Sequence, residues 1–99
     1  MPAQKVQWEM TPEQRKLARH ALGFPNKQNT SYRNHFCTGE GSTDYPHWEA
    51  MVTAGEAIRR TGPLWGGDNM YHLKLEAALA ARDPKEHISR EDAATMRTF

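Results

Sequence analysis

The sequence contains a single cysteine, Cys37, so the chain cannot form an internal disulfide, which fits a reducing compartment. No apolar run approaches the roughly 20 residues of a membrane span. The first ten residues, MPAQKVQWEM, also lack the apolar middle of a signal peptide. We therefore expect an intracellular protein with no membrane partner.

Spacings typical of catalytic and metal sites are missing too. The five histidines and Cys37 form no CxxC, HxxxH or HExxH pattern. His35 and Cys37 lie two residues apart on a predicted strand, and His72 would lie opposite if two strands pair, so zinc binding or thiol catalysis is one hypothesis. Histidines that hydrogen bond at the edge of a small core, beside a small buried thiol, explain the same residues. We predict no metal, no cofactor and no enzymatic activity.

Net charge is small, +1 with the histidines neutral, so no overall field attracts nucleic acid or an anionic membrane. The distribution is less even, because residues 1–36 carry six cations and two acids, a net charge of +4. Residues 37–68 carry two cations and five acids, a net charge of −3. Two differently charged solvent-exposed faces are the simpler explanation, and a binding surface is the alternative.

The length of 99 residues, with 37% hydrophobic and 25% charged positions, indicates one small soluble domain. The mean hydropathy of −0.87 predicts that some segments lie outside its core. We expect an N-terminal extension over residues 1–10, a compact domain over residues 11–84, and a flexible or marginally helical tail over residues 85–99.

The first helix is predicted from TPEQRKLARHALGFP at residues 11–25. Thr11 and Gln14 can form a capping box around Pro12, whose fixed φ suits the first turn. Gly23 and Pro25 end the helix. An apolar stripe is expected to face the core, and it consists of Leu17, Ala18, Ala21 and Leu22. The opposite face, with Arg15 and Arg19, is expected to be basic and exposed.

The next segments predict a turn over residues 26–30 and an alternating strand, SYRNHFCT, over residues 31–38. Asp44 or Thr43 can cap a second helix, in which Gly55 is expected to permit close packing. The main core positions expected are Leu17, Trp48, Met51, Val52, Ile58 and Leu73.

A glycine-rich turn, TGPLWGGDN, then leads into a strand, MYHLKL, and a short helix over residues 75–82. The motif SRED at residues 89–92 can cap one last marginal turn. The order of helix, strand, helix, short strand hairpin and helix predicts a small α+β domain with a winged-helix-like arrangement.

Three blocks of the sequence also match a known pattern. They are SYRNHFCTG, which matches SYRNxFxTG, DYPHWEAMVTAG, which matches DYxxWxAMVxAG, and a block from GGD at residues 66–68, which matches GGDxxFxLTxxG. Over about residues 11–81 the chain resembles a group of short, uncharacterised proteins encoded by phages and prophages. The third block departs from the pattern, with Lys74 in place of threonine and Ala77 in place of glycine. The resemblance implies a phage accessory protein in the cytoplasm of a bacterial host, and it implies no known activity.

The loop NKQNTSYRNHF leads to a first hypothesis, a non-catalytic protein that contacts DNA or RNA. Its cations can neutralise phosphates, its amides can make polar contacts and its tyrosine can stack on a base. The candidate binding residues are Arg15, Arg19, Lys27, Asn29, Tyr32, Arg33, Asn34 and Trp65.

The alternative is a phage inhibitor that binds a host protein, such as a defence complex or the transcription machinery. The acidic residues 40–56 could then mimic phosphates or meet a basic patch. A third interpretation is a solvated loop, with binding through apolar surface that the thin core leaves uncovered. Small proteins also complete their cores by forming oligomers, so a homo-oligomer is a further expectation.

Overall fold

The computed structural model describes residues 9–61 and 68–99. Over these residues the protein has four helices and a three-stranded antiparallel sheet, so the predicted α+β fold is confirmed. The helices are α1 (Pro12–Leu22), α2 (Tyr45–Thr53), α3 (Leu75–Ala81) and α4 (Arg90–Met96), and the strands are β1 (Phe36–Thr38), β2 (Ala57–Thr61) and β3 (Asn69–Leu73). Within the described ranges, no helix combines the length and the apolar character that a bilayer crossing needs.

Helix α1 begins and ends as its local sequence predicts. The Thr11 side chain accepts a hydrogen bond from the Gln14 backbone N–H at 3.1 Å, and the Gln14 side chain accepts one from the Thr11 N–H at 3.0 Å. Gly23 follows the helix with φ of 89°, a left-handed conformation that costs a glycine little. Three positions of the predicted stripe are fully buried, and they are Ala18, Ala21 and Leu22.

The sheet has β3 at its centre, with β1 and β2 on either side and both antiparallel to it. The predicted strand over residues 31–38 forms only at Phe36–Thr38. Asn34 accounts for the shorter strand, because its side-chain amide takes the place of the main chain opposite Leu73. Its Nδ2 donates to the Leu73 carbonyl and its Oδ1 accepts from the Leu73 N–H, both at 2.9 Å.

Helix α2 is shorter than the apolar spacing predicts, because it ends at Thr53. Gly55 lies outside the helix with φ of 78°, and Ile58 is half-buried on β2. A Cβ atom built on Gly55 would meet nothing within 4 Å, so the prediction that this glycine permits close packing is wrong. Its role is to adopt the left-handed conformation that turns the chain from α2 into β2.

The core centres on Trp48, whose ring packs against Phe36 and Tyr71 with centroid separations of 5.3 and 5.4 Å. Met51 and Leu73 are also fully buried. Leu17 and Val52 are half-buried and pack against this cluster. The core is therefore assembled from the sheet and all four helices, with α3 contributing buried alanines and α4 contributing Met96.

The C-terminal segment from Lys85, predicted as a flexible or marginally helical tail, contains a helix that packs on the domain. Residues 90–96 form α4, and Ser89 caps it by accepting a hydrogen bond from the Asp92 N–H at 3.0 Å. Met96 is buried in the core, and the Glu86 side chain is only 1% exposed. The segment has few apolar residues, but long-range contacts bury one of them and pair the buried carboxylate.

Candidate functional site

The basic face predicted for α1 is largely occupied by contacts within the protein. The Arg15 guanidinium forms a salt bridge with Asp83, and the Arg19 guanidinium forms one with Glu86. The Arg19 side chain is only 13% exposed. The prediction that this arginine lies on a free, solvent-exposed face is therefore wrong, because an acid 67 residues later pairs with it.

The Arg19 and Glu86 pair is bidentate. The Arg19 Nη1 and Nη2 atoms lie 2.5 and 2.8 Å from the two Glu86 carboxylate oxygens, and the Asp83 N–H donates to one of them at 2.7 Å. The hydrogen bonds from Arg19 lower the pKa of Glu86, although burial opposes the shift. Arg19 also donates to the Ala81 carbonyl at 3.1 Å and lies over the Phe24 ring. This pair attaches the C-terminal segment to α1.

Arg33 also has an internal role, because it binds the end of α1. Its Nε and Nη2 atoms donate to the His20 carbonyl at 3.2 and 2.6 Å, which satisfies a carbonyl group in the last turn. Its guanidinium also lies 5.3 Å from the centre of the Tyr32 ring. The Tyr32 ring packs against Gly23, yet the residue is 65% exposed. Tyr32 therefore keeps most of its surface exposed, although its ring contacts Arg33 and Gly23.

The asparagines of the loop shape the turn. The Asn26 Nδ2 donates to the carbonyls of Gly23 and Thr30 at 3.1 and 2.8 Å. Asn29 has a left-handed φ of 53°, and its carbonyl accepts from the His87 N–H at 2.7 Å. The amide-rich composition that suggested nucleic-acid contact therefore has a structural explanation in the turn and in its contact with the C-terminal segment.

The other predicted candidates are distributed as follows. Asn34 bonds to β3 as described above, so its side chain is engaged within the fold. Lys27 is exposed in the turn. Trp65 lies outside the described residues. The seven candidates that the structure describes therefore do not form one free basic surface.

The structure brings together a groove that the sequence did not indicate. An open cavity of about 820 Å³ lies along α1, beside the turn after that helix and the start of β1. Its apolar lining consists of Met10, Leu17, Phe24, Pro25 and Phe36. The sequence predicts Phe24 after the first helix and Phe36 on a strand. Only folding places both side chains beside Leu17.

One edge of this groove is basic. Arg15, Lys16 and Arg19 line it together with His20, against one lining acid, Asp44. The carboxylates that pair with the two arginines belong to residues outside the lining. Lys16 is exposed and forms no ion pair within residues 9–61 and 68–99. The groove can thus hold an apolar group beside the charge of Lys16, which is unpaired within those ranges.

The hypothesised cluster of His35, Cys37 and His72 has a different arrangement. Cys37 is exposed, with its sulfur 4.0 Å from a carboxylate oxygen of Asp68. The His72 Nδ1 lies 2.7 Å from the Asn34 carbonyl oxygen, so this nitrogen carries the proton, and burial lowers the pKa of the imidazole. In the described part of the chain, no three His, Cys, Asp or Glu side chains are grouped as a metal site.

No family model, curated protein or solved structure matches this chain. The resemblance to phage and prophage proteins accordingly stays a prediction.

Proposed function

We propose that the protein is a non-catalytic binding domain that takes an extended segment of a protein partner into the groove along α1. The observation that carries the proposal is the apolar lining of the groove beside its basic edge. The occupant that complements it has a large apolar side chain with acidic residues near it. In keeping with the phage resemblance, the partner is a protein of the bacterial host cytoplasm, and binding inhibits that protein.

A protein partner is favoured over nucleic acid by the state of the cations. Nucleic-acid affinity comes mainly from lysines and arginines that neutralise phosphates. Arg15 and Arg19 are paired with carboxylates. An apolar lining also contributes little to contact with a phosphate backbone, whereas it is the usual core of a protein interface.

Helix α2 supports the same choice. In the predicted winged-helix-like arrangement α2 leads into the paired strands, and helix-turn-helix proteins place their second helix in the DNA major groove. The exposed positions of α2 are Pro46, Ala50 and Thr53, which carry no charge. This surface has no cation with which to contact phosphate.

Selection from a displayed random peptide library tests the proposal, because it samples many candidate segments at once and needs no purified partner. We expect enriched peptides with an aromatic or large aliphatic residue next to Asp or Glu. Lys16→Glu and Leu17→Gln should each weaken an enriched peptide by about tenfold, because each changes one component of the groove. Lys27→Glu is the matched control, since it makes the same charge change on an exposed lysine outside the groove, and it should bind normally.

Two results would contradict this function. The first is an absence of enriched peptides, or enriched peptides that bind the wild type and all three variants with equal affinity. The second is binding of mixed-sequence DNA or RNA at about 50 mM salt that falls steeply as salt rises and is weakened by Lys27→Glu, since that is the behaviour of a phosphate-binding surface.

A further inference from the structure

A second, smaller pocket adjoins the groove. It has a volume of about 160 Å³ and is lined by His20, Arg33, His35, Phe36 and Cys37. His20 and Phe36 line both cavities, so the two lie on either side of these side chains. A segment bound in the groove can therefore extend a neighbouring side chain into this pocket.

The polar groups of the pocket favour an anion. Its lining contains an arginine and two histidines and no carboxylate. Asp68, 4.0 Å from the Cys37 sulfur, lies outside this lining. Among the residues that the structure describes, none of the four salt bridges involves a residue of the pocket. Positive charge at this pocket is thus not paired with a carboxylate inside it.

Arg33 is held in a fixed position at this pocket. Two of its nitrogens donate to the His20 carbonyl, and its guanidinium lies over the Tyr32 ring. A guanidinium has five N–H donors, so others remain for a ligand. Because the side chain is already ordered by these contacts, little conformational entropy is lost when an anion binds to it.

We infer that this pocket is an anion subsite of the groove, which receives an acidic group beside the apolar side chain of the bound segment. This inference rests on the proposed function, and it specifies the chemistry of the partner. A carboxylate of Asp or Glu and the phosphate of a phosphorylated residue share the required charge and acceptor oxygens.

The subsite can be tested by itself with small anions. Acetate and inorganic phosphate are titrated into the isotope-labelled protein, and backbone amide signals are followed by NMR. We expect saturable shifts confined to the amides of His20 and residues 33–37. His35→Glu should abolish them, because it places a negative charge in the pocket at an exposed position. Lys27→Glu, outside the pocket, should retain them.

Arg33→Gln is a second variant, but it also removes the hydrogen bonds to the end of α1. The result with His35→Glu therefore decides the test. Linear shifts spread over the whole protein would overturn the subsite. Saturable shifts that survive His35→Glu would overturn it as well.

Peptides separate this inference from the proposed function. An enriched peptide is compared with versions in which its acid is replaced by Gln or by phosphoserine. We expect the wild type to bind the Gln version about tenfold more weakly than the acidic peptide. The His35→Glu variant should bind the two peptides equally. Whichever of the carboxylate and phosphoserine peptides binds more tightly identifies the source of the anion. Enriched peptides that depend on Lys16 and Leu17 but show no preference for an acid would sink the subsite and leave the groove function standing.

Discussion

Replacement of Glu86 by Gln tests the contact that holds the C-terminal segment on α1. The substitution keeps the size of the side chain and removes its charge. Glu86 is 1% exposed, and its carboxylate accepts two hydrogen bonds from Arg19 and one from the Asp83 N–H. The glutamine would place an NH₂ group where one of these donors points, and it would leave Arg19 with only Asp83, 3.6 Å away, as a charged partner.

Removal of one partner from a buried ion pair typically costs about 3 to 5 kcal/mol. Arg19 keeps 13% side-chain exposure and a second acid, so we expect the lower end, about 3 kcal/mol. For a domain of this size, that loss lowers the melting temperature by roughly 12 to 24 °C. It is also a large part of a total stability of about 5 to 15 kcal/mol.

Thermal and urea denaturation followed by circular dichroism measure the effect. Glu40→Gln is the control, because it makes the same chemical change at an exposed turn position and should change stability by less than about 0.5 kcal/mol. If Glu86→Gln is no less stable than Glu40→Gln, the burial and pairing of Glu86 cannot be as described.

The same pair predicts a pH dependence. Hydrogen bonds from Arg19 lower the pKa of Glu86 below its ordinary value of 4.5. The contribution of this group is therefore complete above about pH 4.5 and is lost as the pH falls through the lowered pKa of the folded state. Glu86→Gln removes that contribution, so its stability should fall less steeply with acid than that of the wild type. Equal acid slopes for both proteins would refute the pairing.

Trp48→Ala should lower the free energy of unfolding by about 3 to 5 kcal/mol, because the ring is fully buried and packs against two aromatic neighbours. A melting temperature within about 2 °C of wild type would contradict the core assignment. Deletion of residues 85–99 should unfold the domain, since it removes Glu86 and Met96, and a truncated chain with wild-type stability would refute the packing of α4. The purified protein should contain no stoichiometric zinc, and a chelator should leave its melting curve unchanged. One equivalent of zinc by elemental analysis would make His35 and Cys37 the first ligands to mutate.

Local signals in the sequence are sufficient at the starts of α1 and α4, whereas the cap predicted for α2 from Asp44 or Thr43 makes no side-chain hydrogen bond at Asp44. The capping box of α1 joins Thr11 and Gln14, and the cap of α4 joins Ser89 and Asp92. Both can be predicted because the residue types and their three-residue spacing determine the bonds. The overall α+β class follows from these caps and from the alternation of apolar positions in β3.

The sequence is ambiguous where one residue type serves two purposes. Gly55 fits both a close helix contact and a left-handed turn, and only the backbone distinguishes them. The sequence predicts Asn34 as an available polar group, but its amide replaces a strand hydrogen bond to a residue 39 positions later. Neither outcome can be read from neighbouring residues.

By itself the sequence determined both ends of α1, the cap of α4 and the central core residues Trp48, Met51 and Leu73, because these depend on short spacings and on apolar burial. The tertiary structure alone decided which charges remain available and where an apolar groove opens. The sequence predicts Arg19 to be free, and it is paired with a carboxylate 67 residues away. Phe24 and Phe36 form one lining only because folding brings the turn after α1 close to the start of β1. The physical reason is that electrostatic pairing and cavity shape depend on distances in space, which sequence spacing does not specify.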